Sequence, residues 1–260
     1  MGKDIFIIAL LSYVKPVGYM VLPYACFREH DSFITIHERL SGLNIGKYPE
    51  ITIAEPEFFK LSETYSNQAL IKQFSKKKET PKDFFTHLDK KLLDEMIRPF
   101  IERKLSLIFR ILLENNIPLY NGKGGSNLYE EDHIHIENVS PETSLKFIRT
   151  PEGTQYMLRA FHANRELELC DPENAILVNE PCWYLAGNKL VHFKEQISGK
   201  LLIPFQKKAF VNIPKRIEYQ YFSTFIRKIA NRCDIEAEGF LVNDLQLQPR
   251  AVLSLETDLQ

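Results

Sequence analysis

Residues 5–37 read IFIIALLSYVKPVGYMVLPYACFREHDSFITIH, and the reading of this stretch decides the fold class. Ile5 to Leu11 is a continuous apolar run, Val17 to Phe27 is a second rich in β-branched and aromatic residues, and Ser32 to His37 alternates apolar with polar. Period-two alternation and short β-branched runs predict strands, and the polar turn Arg28-Glu29-His30-Asp31 joins the last two into a meander. Pro23 lacks a backbone donor, so the second strand is expected at an edge or at a bulge. The first run is far shorter than the roughly 20 residues of a membrane span. It also lacks the basic start and small-residue cleavage site of a signal peptide.

Outward from the meander the period changes. Phe58, Leu61, Tyr65, Ala69, Leu70 and Phe74 fall on one face of a helix. Thr80 and Pro81 start another with a capping hydroxyl and a proline at the first helical position. Its stripe runs through Leu88, Leu92, Met96, Phe100, Leu105, Ile108, Ile111 and Leu112, with Pro99 expected to kink or divide it. After Asn115-Asn116 the signals are again short strands, near Ile134, Leu145, Tyr156–Phe161, Leu167, Ile176–Val178, Trp183–Leu185 and Leu190–Phe193, with Gly187-Asn188 as a hairpin turn. Pro214 opens an expected amphipathic helix bearing Ile217, Tyr221, Phe225 and Ile229; strands near Ile235–Val242 and Leu245–Leu255 follow.

The expected class is therefore α+β: an antiparallel meander with a helical segment over 1–116, then a mainly antiparallel β-rich part with one amphipathic helix over 117–260. A single shared core is the alternative. The last strand runs almost to Gln260 without a polar tail, which suggests that the chain continues in its parent.

The 260 residues carry Lys+Arg 33 and Asp+Glu 34, so no global charge draws the chain to nucleic acid or membrane. Four scattered cysteines lack the spacing of a zinc or redox motif and suit a reduced cytoplasmic protein. Gly42-Leu43-Asn44-Ile45-Gly46-Lys47-Tyr48 falls one residue short of a phosphate-binding loop and ends in Tyr where a hydroxyl for Mg²⁺ belongs; Gly122-Lys123-Gly124-Gly125 lacks the spacing too. Cys182 sits among apolar neighbours that raise a thiol pKa, and no nucleophile motif surrounds any cysteine or serine. His133, His135 and Glu137 share one side of a strand and have metal-ligand chemistry, but alternation with Ile134 and Ile136 is explained by a half-solvated strand, the reading adopted. No catalytic residue, metal or cofactor is assigned, and no membrane partner is expected.

Local charge is the positive signal. Between Lys72 and Arg110, eleven basic residues face six acids; between Lys194 and Arg232, nine face Glu195 and Glu218 alone. The second stretch also carries Phe205, Phe210, Tyr219, Tyr221 and Phe222. Basic groups neutralise phosphates and aromatic faces stack on unpaired bases, so Lys76, Lys77, Lys78, Lys207, Lys208, Lys215, Arg216, Arg227 and Lys228 are the candidate nucleic-acid contacts.

Several phrases resemble the N-terminal region of SNF2-type helicases of Bacteroidetes-like bacteria: Phe74-Ser75-Lys76-Lys77-Lys78, LLDEMIRPFIER over 92–103, Ile117-Pro118-Leu119-Tyr120, Asn179-Glu180-Pro181-Cys182-Trp183, Ala237-Glu238-Gly239-Phe240 and Ala251 through Glu256. The resemblance implies a region preceding a two-lobed ATPase motor that moves along DNA. It implies a non-catalytic accessory or regulatory role, contacting DNA or the downstream motor. The motor's own motifs are absent from these 260 positions, so no catalytic residue carries over. A protein-interaction or autoinhibitory module without DNA contact is the alternative.

Overall fold

A computed structural model describes residues 4–240 except 31, 50, 52–55, 123–124, 227–228 and 230–231. The chain is α+β, as its periodicities imply. The meander forms as β1 (Ile5–Val14), β2 (Gly18–His30) and β3 (Phe33–Arg39), with antiparallel ladders. Pro23 is not at an edge, since β2 lies between β1 and β3. Its missing donor falls where the β3 ladder has ended, and its carbonyl accepts from Leu40 N at 2.9 Å.

The helical segment comprises α1 (Pro56–Glu63), α2 (Asn67–Phe74), α3 (Pro81–Thr86), the single turn α4 (Lys90–Leu92) and α5 (Arg98–Glu114). The expected helix over 58–74 is interrupted: Ser66 caps a new start by accepting from Ala69 N, and Tyr65 turns inward to donate its hydroxyl to the Val21 carbonyl. Thr80 caps α3 through Asp83 N at 3.2 Å, with Pro81 at its first turn, as the sequence predicts.

A π-helical turn over Leu93–Ile97 joins α4 to α5 immediately before Pro99. The extra residue it holds moves the buried face by one position. Leu93, Ile97 and Ile101 are buried, whereas Met96, expected in the stripe, is 55% exposed.

The remaining strands are β4 (Leu119–Asn121), β5 (Asn127–Leu128), β6 (His133–Ile136), β7 (Glu142–Thr150), β8 (Gly153–His162), β9 (Arg165–Glu166), β10 (Ala175–Val178), β11 (Trp183–Ala186), β12 (Lys189–His192), β13 (Val211–Pro214) and β14 (Asp234–Glu238). Nine strands form one sheet in the order β10-β11-β12-β6-β4-β1-β2-β3-β5. A second sheet runs β13-β8-β7-β14, with β9 beside β8. Most ladders are antiparallel; β1 with β4, β12 with β6 and β14 with β7 are parallel.

The hairpin β11–β12 turns at Gly187, whose φ of 57° suits a glycine. Its two faces serve two cores. Trp183, Leu185 and Leu190 meet Ile101, Leu105, Ile108 and Phe109 of α5, while Tyr184, Val191 and Phe193 meet Leu145, Phe147 and Tyr156 of the second sheet. The opposite face of β1–β3 carries a smaller cluster around Ile8, Leu10, Cys26 and Tyr120. Glu102 of α5 further accepts from Asn179 N at 2.8 Å and from Asn179 Nδ2. Residues before and after position 116 thus contribute to one sheet and one core.

The amphipathic helix expected at Pro214 starts later. Pro214 still pairs with Gly153 in the β13–β8 ladder. A 3₁₀ turn over Lys215–Ile217, α7 (Glu218–Tyr221) and a π turn over Phe222–Ile226 follow. Ile217, expected on the buried face, is 41% exposed, whereas Tyr221, Phe222 and Phe225 pack on the second core. A single turn, α6 (Gly199–Leu202), precedes a 3₁₀ turn over Ile203–Gln206. The strand expected at Leu245–Leu255 lies outside the described residues.

Candidate nucleic-acid interface

The basic residues near 207–216 are positioned by the edge strand β13. Ile213 is buried in the second core, and β13 approaches Gly153 so closely that a Cβ there would lie 2.2 Å from the Ile213 carbonyl oxygen. Phe205, also buried, anchors the turn before the strand. Between these two anchors the chain from Lys207 to Phe210 is exposed. Lys207, Lys208 and Phe210 line a cleft of about 900 Å³ together with Ile203, Gln206 and Asn212.

Lys215 and Arg216 follow β13 directly and are exposed at its other end. Glu218, the nearest acid in sequence, is drawn inward: it accepts from Thr154 Oγ1 at 2.8 Å and lies 3.7 Å from Arg149. Lys207, Lys208, Lys215 and Arg216 have no ion-pair partner among the described residues, whereas Arg98 meets Asp94 at 2.6 Å, Lys146 meets Glu238 at 2.9 Å and Arg159 meets Glu166 at 2.9 Å. Four unneutralised cations therefore flank one sheet edge.

The aromatic residues of this stretch divide. Phe205, Tyr221 and Phe222 enter the second core, and Tyr221 and Tyr156 share a hydrogen bond of 2.6 Å between their hydroxyls. Phe210, 40% exposed, and Tyr219, 88% exposed, remain on the surface. These two present exposed ring surface on which bases could stack.

Lys76, Lys77 and Lys78 occupy the α2–α3 connection and are exposed. Lys77 and Lys78 line a separate cleft of about 640 Å³ with Lys72, Glu79 and Asp83, which shares no lining residue with the first. The two basic groups thus stand on different elements, and acids accompany the lysines of this second group. Arg227 and Lys228 lie outside the described residues.

The remaining sequence candidates resolve in physical terms. The 42–48 loop is a turn: Asn44 Oδ1 accepts from Ser41 N at 2.7 Å and its amide donates to Glu38. Burial, and secondarily Glu102, pushes the Cys182 thiol up to about 12, which leaves it protonated and unreactive. On β6, Ile134 and Ile136 face the first core as the alternation predicts. His133 and His135 do share a side, 4.4 Å apart between ring centres. Glu137 does not join them: it lies 3.6 Å from His162 Nε2 and 3.7 Å from Lys189 Nζ. Glu130 comes to the pair instead. Its spacing of three residues before His133, across a short turn, was the available signal.

No helix among the described residues is long and apolar enough to cross a membrane. No family model matches the chain, and neither a curated protein nor a solved structure matches it.

Proposed function

We propose that this chain is a non-catalytic accessory region that contacts the phosphate backbone of DNA through the edge of the second sheet, using Lys207, Lys208, Lys215 and Arg216. The supporting observation is that these four exposed cations lack acidic partners among the described residues while Phe210 and Tyr219 stand exposed nearby in sequence. Such a surface binds by releasing counterions, so affinity falls steeply with salt. The resemblance of 92–103 and 179–183 to SNF2-type helicases supports a place beside a DNA-translocating motor.

The test is fluorescence anisotropy with duplex and single-stranded DNA across a salt series. Four phosphate contacts give a slope of log affinity against log salt of about −3 to −4 on duplex DNA. Charge reversal of the four residues to Glu abolishes binding while the circular dichroism spectrum is kept. Undiminished affinity in that variant rejects the surface.

Among the described residues β13 is an edge strand, which favours a second reading. Its outer backbone groups sit beside exposed Ile203 and Phe210, the arrangement on which an extended peptide adds a strand. On that reading the region docks a protein partner or restrains the motor. No DNA binding then occurs at low salt, and deleting the region from the parent changes its ATPase rate.

A further inference from the structure

We propose that Glu130, His133 and His135 form a binding site for a borderline divalent transition metal of the Zn²⁺ class, with at least one coordination position left to solvent or to an incoming ligand. One ligand atom from each residue lies within 4.8 Å of the other two. A tetrahedral ion with bonds of about 2.0–2.1 Å needs ligand atoms roughly 3.3 Å apart. Glu130 and His135 are exposed, which leaves both side chains room to turn toward a shared ion.

The backbone beneath the two histidines is held by a ladder at each, His133 opposite Tyr120 of β4 and His135 opposite Lys189 of β12. β6 is paired on one edge with β4 and on the other with β12, so both histidines ride on an interior strand. Glu130 opens a 3₁₀ turn over Glu130–Asp132, in which the Asp132 carboxylate accepts from Tyr129 N at 3.1 Å. Sites on such elements hold their ligands more closely than sites on loops.

The three side chains are also not held elsewhere by polar contacts among the described residues. Neither imidazole has a side-chain hydrogen bond or ion pair among the described residues, and neither does Glu130. Glu137, an obvious competitor for the histidines, is turned to His162 and Lys189. Tyr120 packs against His133 at 5.0 Å between ring centres and walls the inner side, leaving the outer side open.

Two imidazoles with one carboxylate suit Zn²⁺, Co²⁺ or Fe²⁺ and disfavour the oxygen-seeking Mg²⁺ and Ca²⁺. The residues used here are distinct from the basic edge at β13, so the two proposals stand or fall separately.

The test uses tag-free protein at pH 7.5, titrated with Zn²⁺ by calorimetry and with Co²⁺ by visible absorption. One ion per chain is expected, with Co²⁺ giving the intense d–d bands of a low-coordinate site. His135→Ala, exposed and therefore harmless to folding, weakens binding at least about tenfold, the size typical of losing even an outer partner of a metal site. Glu130→Gln weakens it less, and Glu131→Gln leaves it unchanged. Absence of stoichiometric binding overturns the proposal, as does full retention of affinity in His133→Ala/His135→Ala.

Discussion

Trp183 is 2% exposed, and its Nε1 donates to Ser106 Oγ of α5 at 3.3 Å while its ring lies 5.2 Å from Phe109. Trp183→Ala should therefore cost about 3–5 kcal/mol, read as a lower denaturant midpoint at unchanged slope. His192, which also neighbours Trp183, lies 4.7 Å away, and His192 Nε2 is buried without a hydrogen-bond partner among the described residues. Burial, helped by Arg110, holds this histidine below its ordinary value. Above about pH 6.5 both folded and unfolded chains keep it neutral and its contribution to stability is complete. Below that value the unfolded chain takes the proton first, and stability declines until pH passes the folded value. Denaturant midpoints measured between pH 7.5 and 5 should fall, and His192→Phe should flatten that fall. Burial likewise pushes Cys26 up to about 12 and Cys233 up to about 11. A disulfide-exchange reagent at pH 8 should spare Cys26 and Cys182 in the native protein and count four thiols only after denaturation.

Thr80 is exposed and holds the start of α3 through its hydroxyl, which accepts from Asp83 N and donates to Asp83 Oδ2, so Thr80→Ala should cost about 0.5–2 kcal/mol, visible as a small drop in thermal midpoint. That cap was legible because its chemistry is local: a hydroxyl, then proline, then Asp83. The meander and the β11–β12 hairpin were legible for the same reason, being settled by alternation and by Gly187. The helical stripe was legible except at Met96: Leu105, Ile108, Ile111 and Leu112 are buried, but the π turn at Leu93–Ile97 shifts phase by one residue, and nothing in the local pattern distinguishes Met96 from Ile97. Ile217 misled similarly, since Pro214 is held in a ladder with Gly153 that lies sixty residues back. At the basic edge the charges could be counted in the sequence, but which aromatics face water could not: Phe205 and Phe210 are chemically alike, and tertiary packing separates them. The pairing of Glu130 rather than Glu137 with the histidines also depends on His162 and Lys189, contributed by other strands.

Across the whole molecule, the first sheet interleaves early and late segments. β4 and β6 follow α5 in the chain yet lie between β12 and β1, and α5 packs on Trp183. Separately expressed 1–116 and 117–240 should each fail to fold, showing poorly dispersed amide spectra, whereas mixing them should restore part of the native dispersion. Well-dispersed spectra from either piece alone would contradict a common core. The same interleaving bears on biosynthesis. β1 leaves the ribosome early and pairs at once with β2, but its other side waits for Leu119–Asn121, more than a hundred residues behind. At about 5–20 residues per second the nascent chain carries that open, apolar flank for several seconds. The nascent chain is thus most in need of a chaperone's shelter before Leu119–Asn121 have been translated.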